Sequence, residues 1–539
     1  MNSLVLLILG AVLFLIAYAT YGAYLARQWG LDPSRKTPAH ELYDGVDYVP
    51  ANRYVLLGHH FASIAGAGPI AGPIQAAIFG WLPVYLWIIL GTIFVGGVHD
   101  FGSLLASIRH RGKSIGEIIE ANIGTSGKKL FNIFAWLTLI LVVAAFTSIT
   151  AEAFAATPAA GTASVLFIFT AVLFGQLVYR RNAGLAVSTI IGVALIFLSV
   201  WIGYKYPFLQ LNKTTWQYIL LVYIFFASVL PVWLLLQPRD YLNSFMLYAM
   251  LIGGAIGIIL MHPTLQLSPF KGFTVLTGAG AQYLFPMVFV TVACGACSGF
   301  HSLVGSGTTS KQLSGENDAR FVGYGAMLIE GFLAIVALIS VAYVSKAEGS
   351  PAEVFANGIA EFMTSFGVPA DFGKVFITLA FTAFALTSLD TATRLGRYIF
   401  QEYFETEGGK RSLLADKYVA TLITIFVAYL LVTYGYQKIW PIFGSANQLL
   451  SALALLALTA WFVRTRRNPV MTFLPMIWMF AVTLSATLLL MKNFYAAQNY
   501  VLVVLAAALF VLAIILMVVT YNTLKGAKKS EKGTAAKAG

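Results

Sequence analysis

Apolar runs recur along this chain from end to end, each close to the ~20 residues that a helix needs to cross a bilayer. Ser3–Ala26, Gly184–Gly203, Ile219–Leu236, Tyr324–Val344 and Val501–Thr520 are examples. Only 10% of the 539 residues are charged and 59% are hydrophobic, whereas a soluble domain carries roughly a quarter charged residues. The chain is therefore expected to be an all-α, polytopic membrane helix bundle, with the lipid bilayer as its first partner. Breaks at charged or Gly/Pro-rich joints divide it into about fifteen spans. They begin near residues 3, 58, 81, 130, 163, 184, 217, 243, 282, 320, 373, 415, 440, 472 and 498. The first run has too long an apolar core for a signal peptide and lacks a preceding basic region, so it is expected to stay as a helix.

The formal charge of +12 would suggest nucleic acid in a soluble protein. In a membrane chain it orients the spans instead, because basic residues collect on cytoplasmic loops. Arg27/Arg35/Lys36/Arg53, Arg109/Arg111/Lys113/Lys128/Lys129, Arg180/Arg181 and Arg239 fall in alternate connections, as do Lys311/Arg320, Arg394/Arg397/Lys410/Arg411, Arg464/Arg466/Arg467 and Lys525/Lys528/Lys529. That alternation predicts an outside N-terminus and a cytoplasmic C-terminus. Residues 1–521 form one membrane domain in this scheme, and 522–539 a disordered cytoplasmic tail. Ser114–Gly124 has apolar residues at helical spacing between basic flanks, and is expected to lie at the cytoplasmic surface.

One span is built from residues that a stable helix avoids. GHHFASIAGAGPIAGPIQA, Gly58–Ala76, carries two histidines, four glycines and two prolines. Spanning backbone can be irregular only where protein or a water-filled cavity supplies the missing hydrogen-bond partners. The string Ser63-Ile-Ala-Gly66-Ala-Gly68, followed by Pro69, has an echo in Ser302-Leu-Val-Gly305-Ser-Gly307. Each copy has a His–Phe neighbour, His60-Phe61 and Phe300-His301. The copies lie an odd number of spans apart, so they cross in opposite directions. Paired, interrupted segments in two halves of a chain point to a transporter's binding site. Carbonyls of the broken stretch could face a cation, and the amino end of a half-helix near Pro69 suits a carboxylate.

Ionisable groups at membrane depth are functional candidates, because burying them unpaired costs several kcal/mol. Glu330, Asp390 and Asp100 are the coupling candidates, with Arg394 one turn beyond Asp390 as an alternative, structural partner. Thr387-Ser388, and equally Thr308-Thr309, could hold Na⁺ together with carbonyls of a broken helix. His59, His60 and His301 could carry a coupling proton, since histidine titrates near 6.5. His59, His60, His99, Asp100 and His301 could also be ligands of a membrane metalloenzyme, but no fixed ligand spacing is present, and no metal or cofactor is expected. Cys294 and Cys297 form a lone CxxC, most simply small residues at a helix contact.

ANRYVLLGHHFASIAGAGPIAGP, ACGACSGFHSLVGSGTTSKQ, PVWLLLQPRDYLNSF and WPIFGSANQLLSALALL together resemble the carbon starvation (CstA) family of inner-membrane proteins, from about Arg53 to Leu456. The resemblance implies a LeuT-like inverted repeat with discontinuous helices, placed in the inner membrane. It implies uptake of pyruvate or short peptides during carbon limitation, coupled to H⁺ rather than Na⁺. Carried onto this chain, it implies a site lined by His59, His60, Ser63, Gly66, Gly68, Ser302, Gly305, Ser306 and Thr308. A metalloenzyme, a passive channel and a nutrient sensor are the competing expectations. The oligomeric state is left open.

Overall fold

The structure is a computed structural model that describes residues 2–45, 47–180, 184–231, 234–277, 280–344, 349–404 and 412–538. Arg181, Lys410 and Arg411 of the basic clusters lie outside the described residues. Among the described residues, twelve helices, from Ser3–Gln28 to Tyr500–Lys525, are long and apolar enough to cross a membrane, and the bent pair Arg53–Ile64 and Gly68–Phe79 makes a thirteenth. Two more of the expected segments are helical but shorter, Lys213–Val229 with 17 residues and Lys417–Val432 with 16. All fifteen expected segments thus fall on helices, as hydrocarbon requires of a backbone that must bond to itself.

The helices sort by burial. Lys438–Arg464 and Arg320–Tyr343 have 94% and 89% of their apolar windows covered by protein, against 28% for Tyr500–Lys525 and 33% for Ser3–Gln28. The former are the core and the latter the lipid-facing rim. Ser114 accepts from the Glu117 amide and opens a helix at Ile115–Ile123, too short to span. Two elements were not expected: a helix at Pro351–Thr364 with a Ser350/Glu353 capping box, and a hairpin pairing Thr274–Thr277 with Gly280–Tyr283. The last helix is continuous from Tyr500 to Ala538. Ala and Lys, which are good helix formers, recur in its last turns.

Two core helices are interrupted, and the two interruptions are differently placed within their strings. In the first, Ala65 sits at φ −76°, ψ 59°, and the Gly66 amide donates to the Ile64 carbonyl at 2.8 Å. This is an inverse γ-turn, and the helix restarts at Gly68-Pro69 with its axis bent by 45°. In the second, Leu284–Val292 ends at Ala293, held at φ 40°, and a new helix opens at Gly299. The break is at Ala296–Ser298. Ser302–Gly307 is continuous α-helix, so that string is not the interruption the echo suggested. The two broken helices touch at Gly72, where a Cβ would lie 2.6 Å from the Thr291 and Val292 carbonyl oxygens.

Candidate functional site

The carboxyl half of Arg53–Ile64 presents His59, His60 and Ser63, all buried, to three neighbours. The first is the long helix Ala370–Phe404. Ser388 Oγ donates to the Ser63 carbonyl at 3.2 Å, and a Cβ on Gly66 would come within 2.5 Å of Ser388 Oγ. A hydroxyl thus takes up a carbonyl at the edge of the break, and glycine makes room for it. The Ser63 hydroxyl itself donates to the His59 carbonyl at 2.9 Å.

The second neighbour is a charged network that joins the expected His59, Thr387 and Asp390 to four residues that were not expected, Tyr223, Arg239, Asp240 and Asn243. His59 Nδ1 lies 3.5 Å from Asp240 Oδ2. Asp240 also faces the Arg239 guanidinium, at 3.3 Å, and Arg239 reaches on to Asp390 and to the Tyr223 hydroxyl. The Tyr223 hydroxyl donates to Asp390 Oδ2 at 2.8 Å. Thr387 Oγ1 accepts from Arg239 Nη2 at 3.1 Å and from Asn243 Nδ2 at 2.9 Å, and donates to the Ala383 carbonyl at 3.0 Å. Arg239 is only 1% exposed, so it is a core cation and not the loop charge that the alternation took it for. Arg394 does not pair with Asp390. It donates to the Ala227 and Leu230 carbonyls, which the end of Lys213–Val229 leaves without intrahelical partners.

The third neighbour is the second broken helix. His60 Nδ1 meets Thr309 Oγ1 at 2.8 Å. His301 lies between two acids: Nδ1 is 2.8 Å from Asp100 Oδ2, and Nε2 is 3.4 Å from Glu330 Oε2. His99 Nδ1 takes the other Asp100 oxygen at 2.7 Å. All four side chains are buried. Neither Glu330 oxygen has a hydrogen-bond partner among the described residues.

Beside His59 and Ser63 lies a cavity of about 50 Å³. His59 and Ser63 line it from the first broken helix, Thr308 and Lys311 from beyond the second, and Thr391 and Arg394 from Ala370–Phe404. The expected residues Gly68 and Pro69 face Cys294 and Gly295. Ser302 and Ser306 turn their hydroxyls onto carbonyls of their own helix, Gly299 and Ser302, both at 2.7 Å. Gly305 lies in the same helix, with Leu104 4.0 Å from where its Cβ would be. Both cysteines are buried free thiols at helix contacts, Cys297 Sγ 3.2 Å from Ser451 Oγ. Among the described residues no three His, Cys, Asp or Glu side chains are arranged to hold a metal ion.

Arg239, Asp240, Asn243 and Tyr223 escaped detection. The available signal was a charged pair followed by Asn in an otherwise apolar run, PVWLLLQPRDYLNSF, next to a proline that suggests a loop.

The chain is 32% identical over 584 residues to the pyruvate/proton symporter BtsT of Escherichia coli strain K12, covering 89% of this chain and 81% of that one. It is 33% identical over 565 residues to the peptide transporter CstA of the same strain, covering 90% and 80%. The crystal structure of an Eremococcus coleocola manganese transporter superposes with a TM-score of 0.51 at 14% identity, over 90% of this chain and 99% of that one. The two share a fold, the LeuT-like bundle with discontinuous helices. The profile of the family described as carbon starvation protein CstA matches residues 2–350 and 344–486. The chain belongs to the carbon starvation protein CstA family.

Proposed function

We propose that this protein is a secondary active importer of a small carboxylate, pyruvate above all, driven by the proton gradient. The observation that carries this is the cavity beside the first helix break. Its volume of about 50 Å³ holds three or four water-sized spheres, at roughly 10–15 Å³ each. That is room for a three-carbon acid and not for a peptide. Lys311 and Arg394 on its wall, against the single acid Asp47, leave the excess positive charge a carboxylate needs, and two opposed broken helices are the elements that alternating access requires.

Protons are favoured over sodium by what already occupies the hydroxyl pair. Thr387 accepts from a built-in guanidinium and an amide, and Ser388 is committed to the Ser63 carbonyl. The proton falls to the His301 cluster. Asp100 is shared by two imidazoles, whereas Glu330 is buried without a hydrogen-bond partner among the described residues. Two acids around one imidazole leave a negative charge in excess, and burying it costs several kcal/mol. A proton on Glu330 removes it, so proton uptake and closure of the site are linked. The alternation of basic connections supports an N-terminus outside, in the inner membrane.

The test is uptake of labelled pyruvate and of dipeptides into proteoliposomes, with and without an imposed pH gradient. Pyruvate accumulating only with the gradient is the expected result. Equal filling without a gradient would mean a passive channel, and accumulation of dipeptides alone would overturn the substrate.

A further inference from the structure

Two grooves run into one another on the lipid-facing side of the bundle, away from the cavity. The upper one, of about 450 Å³, is lined almost entirely by carbon. Its walls are Ala11, Phe14, Leu15 and Tyr18 on one helix and Gly325, Leu328, Ile329 and Phe332 on another. Both sets have the spacing i, i+3, i+4, i+7, one face over two turns, so the groove follows the helices for about 10 Å. That is roughly a third of the ~30 Å hydrocarbon core. Leu15 is 70% exposed, so the groove opens to lipid.

The lower groove, of about 1060 Å³, shares Tyr18 and Phe321 with the upper one and is lined by Arg27, Arg53 and Arg320 against the single acid Asp318. Arg53 Nη1 stands 3.9 Å from Asp318 Oδ1, which leaves a net charge of about +2 by the difference of three arginines and one aspartate. Arg320 lies over the Tyr18 ring at 4.9 Å, and Arg53 over Phe321 at 5.6 Å. At the junction both walls loosen into π-helix, Tyr18–Gly22 and Arg320–Tyr324, a local widening often found at functional sites.

We infer that this composite groove binds an anionic phospholipid, with the phosphate among Arg27, Arg53 and Arg320 and an acyl chain along the apolar walls. Apolar length continuous with a cationic end is the shape of such a lipid. A free phosphate would use only the arginines, and a neutral lipid only the walls. The inference does not rest on the transported substrate.

The full-length protein would be released from mixed micelles containing equal amounts of phosphatidylglycerol and phosphatidylcholine, and its retained lipids weighed by native mass spectrometry. Phosphatidylglycerol is expected to be preferred, and Arg27→Gln to cut that preference roughly fivefold, the effect of about one interfacial charge. Gly325→Leu fills the upper groove without removing an arginine, its Cβ 3.6 Å from the Tyr18 ring, and is expected to lower retention of phosphatidylglycerol. Equal retention of both lipids, or a preference unchanged in Arg27→Gln, would overturn the proposal. So would displacement of the lipid by inorganic phosphate alone, because that would reduce the site to an anion patch.

Discussion

The guanidinium of Arg239 donates to Thr387 Oγ1 at 3.1 Å, while its other amino group reaches Asp390. A fixed cation therefore sits where a hydroxyl pair could otherwise have drawn a sodium ion. Uptake by the proteoliposomes is expected to be the same when choline replaces Na⁺, and a requirement for Na⁺ would refute the assignment. Removing the cation leaves Asp240 and Asp390 buried without it. Arg239→Ala is expected to destabilise the protein by about 3–5 kcal/mol, the usual cost of breaking one half of a buried pair. Arg239→Met combined with Asp390→Asn removes both partners and is expected to cost clearly less. Thermal unfolding in detergent measures both.

Glu330 and His301 carry the coupling in the proposed mechanism, so their loss should separate transport from its driving force. Glu330→Gln has nearly the same shape and cannot release a proton. It is expected to keep exchange of labelled for unlabelled pyruvate across the membrane, and to lose accumulation driven by a pH gradient. Equal loss of both activities would point to damaged folding or substrate binding instead.

Some of this was legible in the residues and some was not, for reasons particular to each. The first interruption could be read because Gly66 and Pro69 are poor helix formers in a span that must hydrogen-bond to itself. The second was misplaced by several residues. Ser302 and Ser306 look like a loop string, but mid-helix serines commonly bond back to their own turn, as these do at 2.7 Å. The better counterpart of Ala65–Gly68 is the run around Gly295 and Ser298, where small residues precede a true restart at Gly299. The Arg239 network was out of reach, because Arg239 and Asp390 are 151 residues apart and spacing arguments reach only one or two turns. The same limit made Arg394, a turn from Asp390, look like its partner.

Close packing at the first break makes a sharp prediction. A Cβ on Gly66 would meet Ser388 Oγ at 2.5 Å and the Phe146 ring at 3.1 Å. Gly66→Ala should cost about 1–3 kcal/mol through overpacking and slow uptake with it. Adding Ser388→Ala removes the nearer obstacle and should restore part of the stability. If Gly66→Ala melts and transports like the parent, the break is not packed against Ala370–Phe404.

At the surface helix Ile115–Ile123, burial tends to raise the Glu117 carboxyl, but Lys128 at 2.5 Å and Lys113 at 3.3 Å outweigh it and hold the group below its usual value. A lowered folded value stabilises above the unfolded one, about 4.3 for glutamate, and that contribution disappears as pH falls through the folded value. Glu117→Gln should therefore melt below the parent at neutral pH, by an amount worth up to about 1 kcal/mol for a solvent-screened, half-buried pair. The gap should close as the pH drops below about 4. A gap that stays constant with pH would mean that the Glu117 charge does not carry the effect.

Lys311 is the test of where the carboxylate goes. It lines the cavity opposite His59 and Ser63, with its ammonium 5.4 Å from the Tyr48 ring, so it can turn toward a ligand without breaking an ion pair among the described residues. Charge-assisted hydrogen bonds are worth about 1.5–3 kcal/mol, and one lost to Lys311→Gln should raise the KM for pyruvate roughly ten- to hundredfold. The maximal rate should change much less, because none of His99, Asp100, His301 and Glu330 lines the cavity. Lys311→Arg, which keeps the charge, should recover most of the affinity. A KM unchanged in Lys311→Gln would move the carboxylate to Arg394. A fall in maximal rate alone would make Lys311 part of the moving parts of the cycle.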